Sequence, residues 1–442
     1  ALSPQVRQVL RNRARYEVAN NSYARGIVLT LANDTIGTGP RLQMPTGDDR
    51  ANRLVEDLFA VWADAVGLAE KLRTMRLARA DSGEAFALLT NNPKIDSPVS
   101  LDLRLIEADQ VTSPTMVGAA ALAVDGIVLD AHGNPVEYHV LRRHPGDNSS
   151  LSGNPLAYDR VPAGSVIHYF RADRPGQRRG VPDITPALPL FAQLRRYTLA
   201  VIAAAESAAN IAILMKTNSP AGGEAAEVEP MTEMEFVPNM AVFTPEGWEP
   251  SQVKAEQPAT TYEMFKREIL NEIARCLNMP FNIAAGNSSG YNYASGRLDH
   301  QTYFKSIRVD QAQIENAVLD RILRAWLHEA VLVEGLLPQS LRTSDAAFPQ
   351  QWFWDGREHV DPAKEASAQA TRLTSHTTTL AYEYARQGRD WEAELRQRAK
   401  EVALMNELGL TVAQATPAAP ADPNPPDQEN DDEPAAQDKR AA

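Results

Sequence analysis

Along residues 3–30, Val6, Val9, Leu10, Tyr16, Tyr23 and Ile27 recur at helical spacing, while Arg7, Arg11, Arg13 and Arg15 fall on the opposite face. Ser3 can cap this helix and Pro4 suits its first position. Gly37, Gly39 and Pro40 break the pattern, and residues 49–79 then read as further helix with Leu54, Leu58, Val61, Trp62 and Leu68 as the buried stripe. From about residue 84 to 171 the period changes to short β-branched runs, which predict strands over 86–90, 99–106, 127–129, 136–141 and 166–170. His132-Gly133-Asn134-Pro135, lying between two of these runs, is a hairpin turn signal.

Beyond Arg171, the prolines 182, 186 and 189 lead into a helix predicted to run to about Lys216. Residues 217–258 are rich in Pro, Gly and Glu, with short strands expected at 240–243 and around Gly247-Trp248. A second strong helix begins at Thr260, where the hydroxyl can cap and Glu263 can reach back. Tyr262, Phe265, Ile269, Ile273 and Cys276 mark its face, and Pro280 lies just past its end. Residues 285–293 read as a flexible polar loop. A long helix over 295–337 follows, striped by Tyr303, Ile307, Ile314, Val318, Ile322 and Trp326. Three shorter helices close the ordered chain, with Asp361-Pro362 and Asp390-Trp391 as caps and Gly388 and Gly409 as stops. Residues 416–442 hold seven acids, two bases and six prolines, too little apolar surface to order by themselves, so a disordered acidic tail is expected.

Length and charge narrow the class. A chain of 442 residues suits roughly three domains. Its net charge of −13 disfavours a surface that grips phosphates everywhere, though not local basic patches. The lone cysteine, Cys276, excludes an internal disulfide and a cysteine-only metal site, fits a reducing compartment, and reads as a small buried residue of the helix stripe. The arginine-rich start leaves no apolar core for a signal peptide. Residues 199–215 are the most apolar stretch, but they are short for a membrane span and carry Glu206, Ser207 and Asn210 at their centre, so a helix packed on protein is expected.

The candidate chemistry is thin. Gly286-Asn287-Ser288-Ser289-Gly290 satisfies G-x-S-x-G, yet a nucleophile elbow needs a strand before the serine, and here a helix is predicted. Its conceivable partners, Asp299 or Asp310 with His328, share one predicted helix. The eight histidines form no H-E-x-x-H, and Gly37-Thr38-Gly39 lacks the remainder of a phosphate loop. No catalytic residues, metal ligands or cofactors are therefore expected.

Several segments in order carry a resemblance: Arg13-Ala14-Arg15 with Asn20-Asn21, Ile36-Gly37-Thr38-Gly39, and Val166-Ile167-His168-Tyr169-Phe170 leading through Arg174-Pro175-Gly176-Gln177-Arg178-Arg179-Gly180-Val181-Pro182. Asn292-Tyr293-Ala294-Ser295-Gly296-Arg297 and Val360-Asp361-Pro362-Ala363-Lys364-Glu365 complete the series. Together they make the chain resemble the portal proteins of tailed phages, lambda type, from Val6 to about Leu410. Gly296 departs from the small, better helix-forming residue expected there, which leaves the start of the following helix open.

The resemblance implies an α+β portal fold, mainly helical, in a ring of usually twelve copies at one capsid vertex. Double-stranded DNA would be packaged and ejected through its channel without sequence specificity. It also implies docking of the terminase large subunit and a head-tail adaptor, contact with the major capsid protein, no membrane, and residence in the virion after assembly in the bacterial host cytoplasm. Mapped onto this chain, residues 1–181 are the β-rich wing with its N-terminal helices, 182–216 the first stem helix, 217–259 the clip and 260–279 the second stem helix. Residues 280–294 hold the tunnel loop, 295–345 the long wing helix, 346–415 the crown-like helices and 416–442 the tail.

An acidic protein suits such a conduit. A 30-residue helix spans about 45 Å, a length of duplex carrying about 26 phosphates, and one inward cation per subunit would ring the DNA with positive charge and stall it. Gly286, Asn287, Ser288, Ser289, Gly290 and Asn292 are the candidate channel residues, their backbone freedom and neutral donors suiting contacts that break easily. Tyr291 and Tyr293 either join them or pack the loop against the wing. Arg171, Arg174, Arg178 and Arg179 are candidates for DNA or subunit contact. Two other classes stay open at this level, a serine hydrolase using Ser288 and a soluble helical interaction protein that never encloses DNA.

Overall fold

The computed structural model describes residues 3–113, 123–146, 157–209, 213–217, 248–252, 259–290, 293–338, 349–356 and 362–410. The chain divides into two units, Ala1–Val360 with Arg386–Gly388, and Asp361–Ala385 with Arg389–Ala442.

The first unit opens with two helices, α1 (Pro4–Asn20) and α2 (Ser22–Ile36), where the sequence pattern predicts one. Asn21 makes the break: its backbone leaves the helical region, and its side-chain oxygen accepts from the Tyr23 and Ala24 amides at 3.0 and 3.3 Å. The predicted face of α1 is also inverted. Arg7, Arg11, Ala14, Glu17 and Val18 are buried, whereas Val6, Val9 and Tyr16 are exposed.

After β1 (Arg41–Gln43), Asp48 caps α3 (Asp49–Ala65), and a left-handed Gly67 separates it from α4 (Leu68–Ser82). The buried line of α3 is Val55, Phe59 and Trp62; Leu54 and Val61 face solvent, so its stripe is rotated from the expected one. The strands β2 (Glu84–Asn91) and β3 (Leu101–Ile106) follow, then β4 (Ala123–Val124), β5 (Ile127–Leu129), β6 (Pro135–Leu141), β7 (Tyr158–Pro162) and β8 (Val166–Phe170). They form two antiparallel sheets, ordered β3-β2-β8 and β4-β5-β6-β7. The predicted turn between β5 and β6 is tied by Asp130 Oδ1, which accepts from the His132 and Asn134 amides at 2.8 and 2.7 Å.

Helix α5 (Leu188–Ala209) ends before the predicted Lys216, and the chain resumes as β9 (Ile213–Thr217), paired antiparallel with β10 (Trp248–Gln252). The strand expected at 240–243 lies outside the described residues. Helix α6 (Ala259–Arg275) leads through Pro280 to α7 (Phe281–Ala285), a short helix that ends where the predicted polar loop begins. Helix α8 (Tyr293–Ile314) starts two residues before the expected Ser295 and carries Gly296 within it.

A π-helical turn, Glu315–Leu319, joins α8 to α9 (Asp320–Leu332), so the expected single helix carries a bulge. The following strand, β11 (Gln351–Phe353), pairs with β1 and pins this bulge. Trp354 Nε1–H donates to Glu315 Oε1 at 2.6 Å and Trp352 Nε1–H to Asp320 Oδ1 at 2.9 Å.

The stripe of α8 and α9 fills two of the three cores. Tyr303 and Ile307 pack with α1, α2, α5, α6 and α7 side chains; Ile314, Val318, Ile322 and Trp326 pack with those of α3, α4 and the first sheet. Phe59 lies 5.2, 5.5 and 5.7 Å from the rings of Trp62, Trp326 and Trp352. Each such fully buried side chain contributes about 1.5–3 kcal/mol, an upper figure because unfolded chains already bury some surface. The third core gathers Phe86, Ile106, Ile127, Tyr138, Val140 and Val166 from both sheets.

The second unit holds α10 (Pro362–Thr374), α11 (Leu380–Arg386) up to Ala385, and α12 (Trp391–Glu407). Arg372 bridges α10 and α11, its Nε 2.9 Å from Glu383 Oε1 and its NH2 2.9 Å from Glu365. Asp390 caps α12 as the sequence predicts, by accepting from the Ala393 amide at 2.8 Å. The expected acidic tail, residues 416–442, lies outside the described residues.

No helix among the described residues is long and apolar enough to cross a membrane. The apolar run on α5 is partly open in this chain, with Leu199 and Ile202 60% and 49% exposed.

Candidate functional site

The polar loop between α7 and α8 is shaped by its glycines and asparagines. Gly286 ends α7 at φ 63°, a left-handed conformation that suits glycine, and Asn287 N–H returns to the Asn282 carbonyl at 3.0 Å. Asn287 Oδ1 then accepts from the Ser289 amide at 2.9 Å. Gly286, Asn287, Ser288, Ser289 and Gly290 are all exposed. Asn282 on α7 meets His300 Nε2 on α8 at 3.0 Å, fixing the two helices that hold the loop. Tyr291 and Asn292 lie outside the described residues.

Ser288 has no nucleophile geometry: a helix, not a strand, precedes it. Asp310, one of its conceivable partners, is committed elsewhere, at 2.8 Å from Arg76 and 3.2 Å from Arg79.

The four candidate arginines separate. Arg171 and Arg174 are exposed, and Arg171 Nε lies 2.7 Å from Asp173 Oδ1. Gln177 closes the segment by accepting from the Asp173 amide at 3.1 Å and donating to the Arg179 carbonyl at 2.9 Å. Arg178 is half-buried beside the β5–β6 turn, where a Cβ on Gly133 would come within 2.6 Å of its NH2. Arg179 is the correction: it is 2% exposed and forms no part of the surface patch.

Arg179 is a clamp. Its Nε and NH2 donate to Glu84 at 2.8 and 2.7 Å, and its other N–H groups take the Val111 and Ala108 carbonyls at 2.9 and 3.1 Å. A Cβ on Gly180 would come within 2.0 Å of the Gly83 carbonyl oxygen, so glycine is required for the approach of these two segments. Burial pushes the Glu84 carboxyl up, but Arg179 and His168 outweigh that and hold it well below the ordinary carboxylate range. Burial dominates at His168 and lowers it; the ring stacks on Phe86 and Phe170 at 4.2 and 4.4 Å and meets Glu84 Oε2 at 2.9 Å.

A second ionic knot joins α4 to α8. Arg76 lies 3.0 Å from Asp183, and Arg79, fully buried, meets the Tyr169 hydroxyl at 2.7 Å and Gln313 at 3.0 Å. Burial opposes the Arg79 charge, yet Asp183, Tyr169 and Asp310 raise its pKa overall.

The α1 arginines form a third group that the sequence pattern misassigns. Arg7 pairs with Asp125; Arg11 and Arg15 each reach Asp109 at 2.7 Å, and Arg15 also reaches Glu107 at 3.1 Å. Their spacing at Arg7, Arg11 and Arg15 is visible as one helical face, but nothing local marks it as inward. Glu107, Asp109 and His144 come close enough together to hold a cation, but Arg11 and Arg15 already neutralise these carboxylates.

The geometry therefore combines a set of buried, ion-paired arginines with a neutral exposed loop and the exposed Arg171 and Arg174. A probable portal protein of Halomonas phage phiHAP-1 is 25% identical over 97% of this chain and 87% of its own length. A chain from the neck of an empty gene transfer agent particle shares the fold, with a TM-score of 0.51 and 14% identity over 86% of this chain and 93% of its own. Residues 2–311 match the family described as phage portal protein, lambda family, and with the match spanning most of its length this chain belongs to that family.

Proposed function

We propose that this chain forms a closed ring of twelve copies at one capsid vertex, and that double-stranded DNA is packaged and ejected through its channel. The ring docks the terminase large subunit and a head-tail adaptor and is held by the major capsid protein. Within it, residues 1–181 with 295–345 act as wing, 182–216 and 260–279 as stem, 217–259 as clip, and 346–415 as crown. The loop at Gly286, Asn287, Ser288, Ser289, Gly290 and Asn292 touches the moving DNA, and Arg171 and Arg174 offer exposed cations to DNA or to a neighbouring subunit.

The observation that carries this reading is the exposed half of α5. Leu199 and Ile202 stand open on the most apolar helix of an acidic chain. In a soluble protein a patch of this kind is covered by another protein surface. Copies of the same chain arranged around an axis supply that cover, and heterologous contacts between them close into a ring.

Native mass measurement with negative-stain imaging tests assembly: rings are expected, and monomers or dimers alone under capsid-assembly conditions overturn the reading. Deleting residues 287–290 tests the loop. The deletion is expected to leave rings intact and to lower the amount or retention of packaged DNA, whereas unchanged packaging and retention exclude a DNA-handling role.

A further inference from the structure

The outer face of α6 holds an open cavity of about 400 Å³, lined by Phe265, Glu268, Ile269, Asn271, Glu272 and Arg275. Ile269 is its buried floor, and Phe265, Glu268 and Glu272 are exposed. Glu268 and Glu272 stand one turn apart, and neither forms an ion pair among the described residues. Like charges at this spacing repel by about 0.2–0.5 kcal/mol on a helix, so a cation placed between them is favoured. Arg275, at the end of the cavity, is turned toward Asn278 Oδ1 at 2.9 Å.

Helix α1 presents the complement. Val6, Val9, Arg13 and Tyr16 follow one line along its solvent face, and all four are exposed. Arg13 has no hydrogen bond or ion pair among the described residues, unlike Arg7, Arg11 and Arg15 on the inward side. Val9 and Arg13 are four residues apart, as are Glu268 and Glu272, so each pair spans about 6 Å along its helix axis.

We propose that the Val6, Val9, Arg13 and Tyr16 line of one copy docks into the α6 cavity of a second copy, with Arg13 between Glu268 and Glu272 and the valines over Phe265 and Ile269. The proposal rests on the ring reading above and names a contact that would build it. Within one chain α1 packs on α2, α4 and α5, whereas α6 packs on α5 and α7. The two surfaces therefore differ, and their pairing between copies is heterologous, the kind that continues around a ring. Opposite charges in an apolar setting also fix the register of such a contact.

Charge reversal tests it in the full-length protein, with the ring fraction read by sedimentation and native mass. Arg13→Glu alone and Glu268→Arg with Glu272→Arg are each expected to lower the ring fraction about tenfold, and combining all three to restore most of it. Val9→Ser is expected to lower the ring fraction with the protomer's melting unchanged, and it carries the same test should a reversal disturb folding. A wild-type ring indifferent to Arg13→Glu and Val9→Ser, or a triple variant with no recovery, overturns the docking alone. A wild-type protein that stays monomeric overturns the ring reading itself.

Discussion

Helices α1 and α8–α9 follow the same spacing rule with opposite outcomes. Along α8 and α9 the apolar stripe from Tyr303 to Trp326 is buried and bridges two cores. Along α1 the buried face carries Arg7, Arg11 and Glu17, while Val6, Val9 and Tyr16 face solvent. The difference lies in what each helix meets. Helices α8 and α9 meet apolar faces of other helices and the first sheet. Helix α1 meets Asp109 and Asp125 beside the sheets, and Arg195 reaches its Glu17 at 2.5 Å. A helix turns inward the face its neighbours can satisfy, and charges count as satisfiable when oppositely charged partners are fixed in place.

The largest expected effect breaks the apolar side of this contrast. Trp326→Ala removes a fully buried ring against Phe59 and is expected to destabilise the protomer by about 3–5 kcal/mol, measured by denaturant unfolding. The ionic side is weaker per residue. Arg11→Met keeps most of the side-chain volume but leaves Asp109 to Arg15, and a loss of about 2 kcal/mol is expected in the same assay. A smaller loss than for Trp326→Ala confirms that apolar packing dominates; an equal loss would place the ionic face on a par with it.

Acid sharpens the contrast, because it acts on ionisable groups and leaves the apolar stripe alone. His168 has its folded pKa lowered below 6.5, so the unfolded chain takes up a proton first as pH falls. Stability is expected to decline below about pH 6.5 until the folded pKa is reached, and then to level off for this group. Glu84, also lowered from 4.5, contributes stability above that value and loses it as pH falls toward its folded pKa. Replacing His168→Gln is expected to flatten the upper part of the decline in unfolding curves taken from pH 7 to pH 5. An unchanged slope would show that His168 is not the group responsible.

Where a single local rule governs, the sequence is legible. Asp390 capping α12, the turn before β6, Pro4 opening α1 and the long stripe of α8–α9 all depend on residues close in sequence. The break at Asn21 had a local signal too, since asparagine competes for the amides of the next turn, but a continuing apolar period masked it. Arg179 was visible within a basic run, and its burial was not. That depends on Glu84 and the Val111 and Ala108 carbonyls, which lie 68 or more positions away in the chain.

By itself, the sequence determined where most helices and strands lie, the acidic balance and the family signature, because caps, turns and periodicity act over a few residues. Only the tertiary structure decided which face of α1 turns inward, that α5 gives way to β9, that the long helix bulges at Glu315, and which arginines are locked inside. Those outcomes depend on partners such as Asp109, 98 positions from Arg11, and on Glu84, 95 positions from Arg179. Burial of a charge is favourable only when such a partner arrives with its geometry already fixed, and short-range pattern carries no record of that arrival.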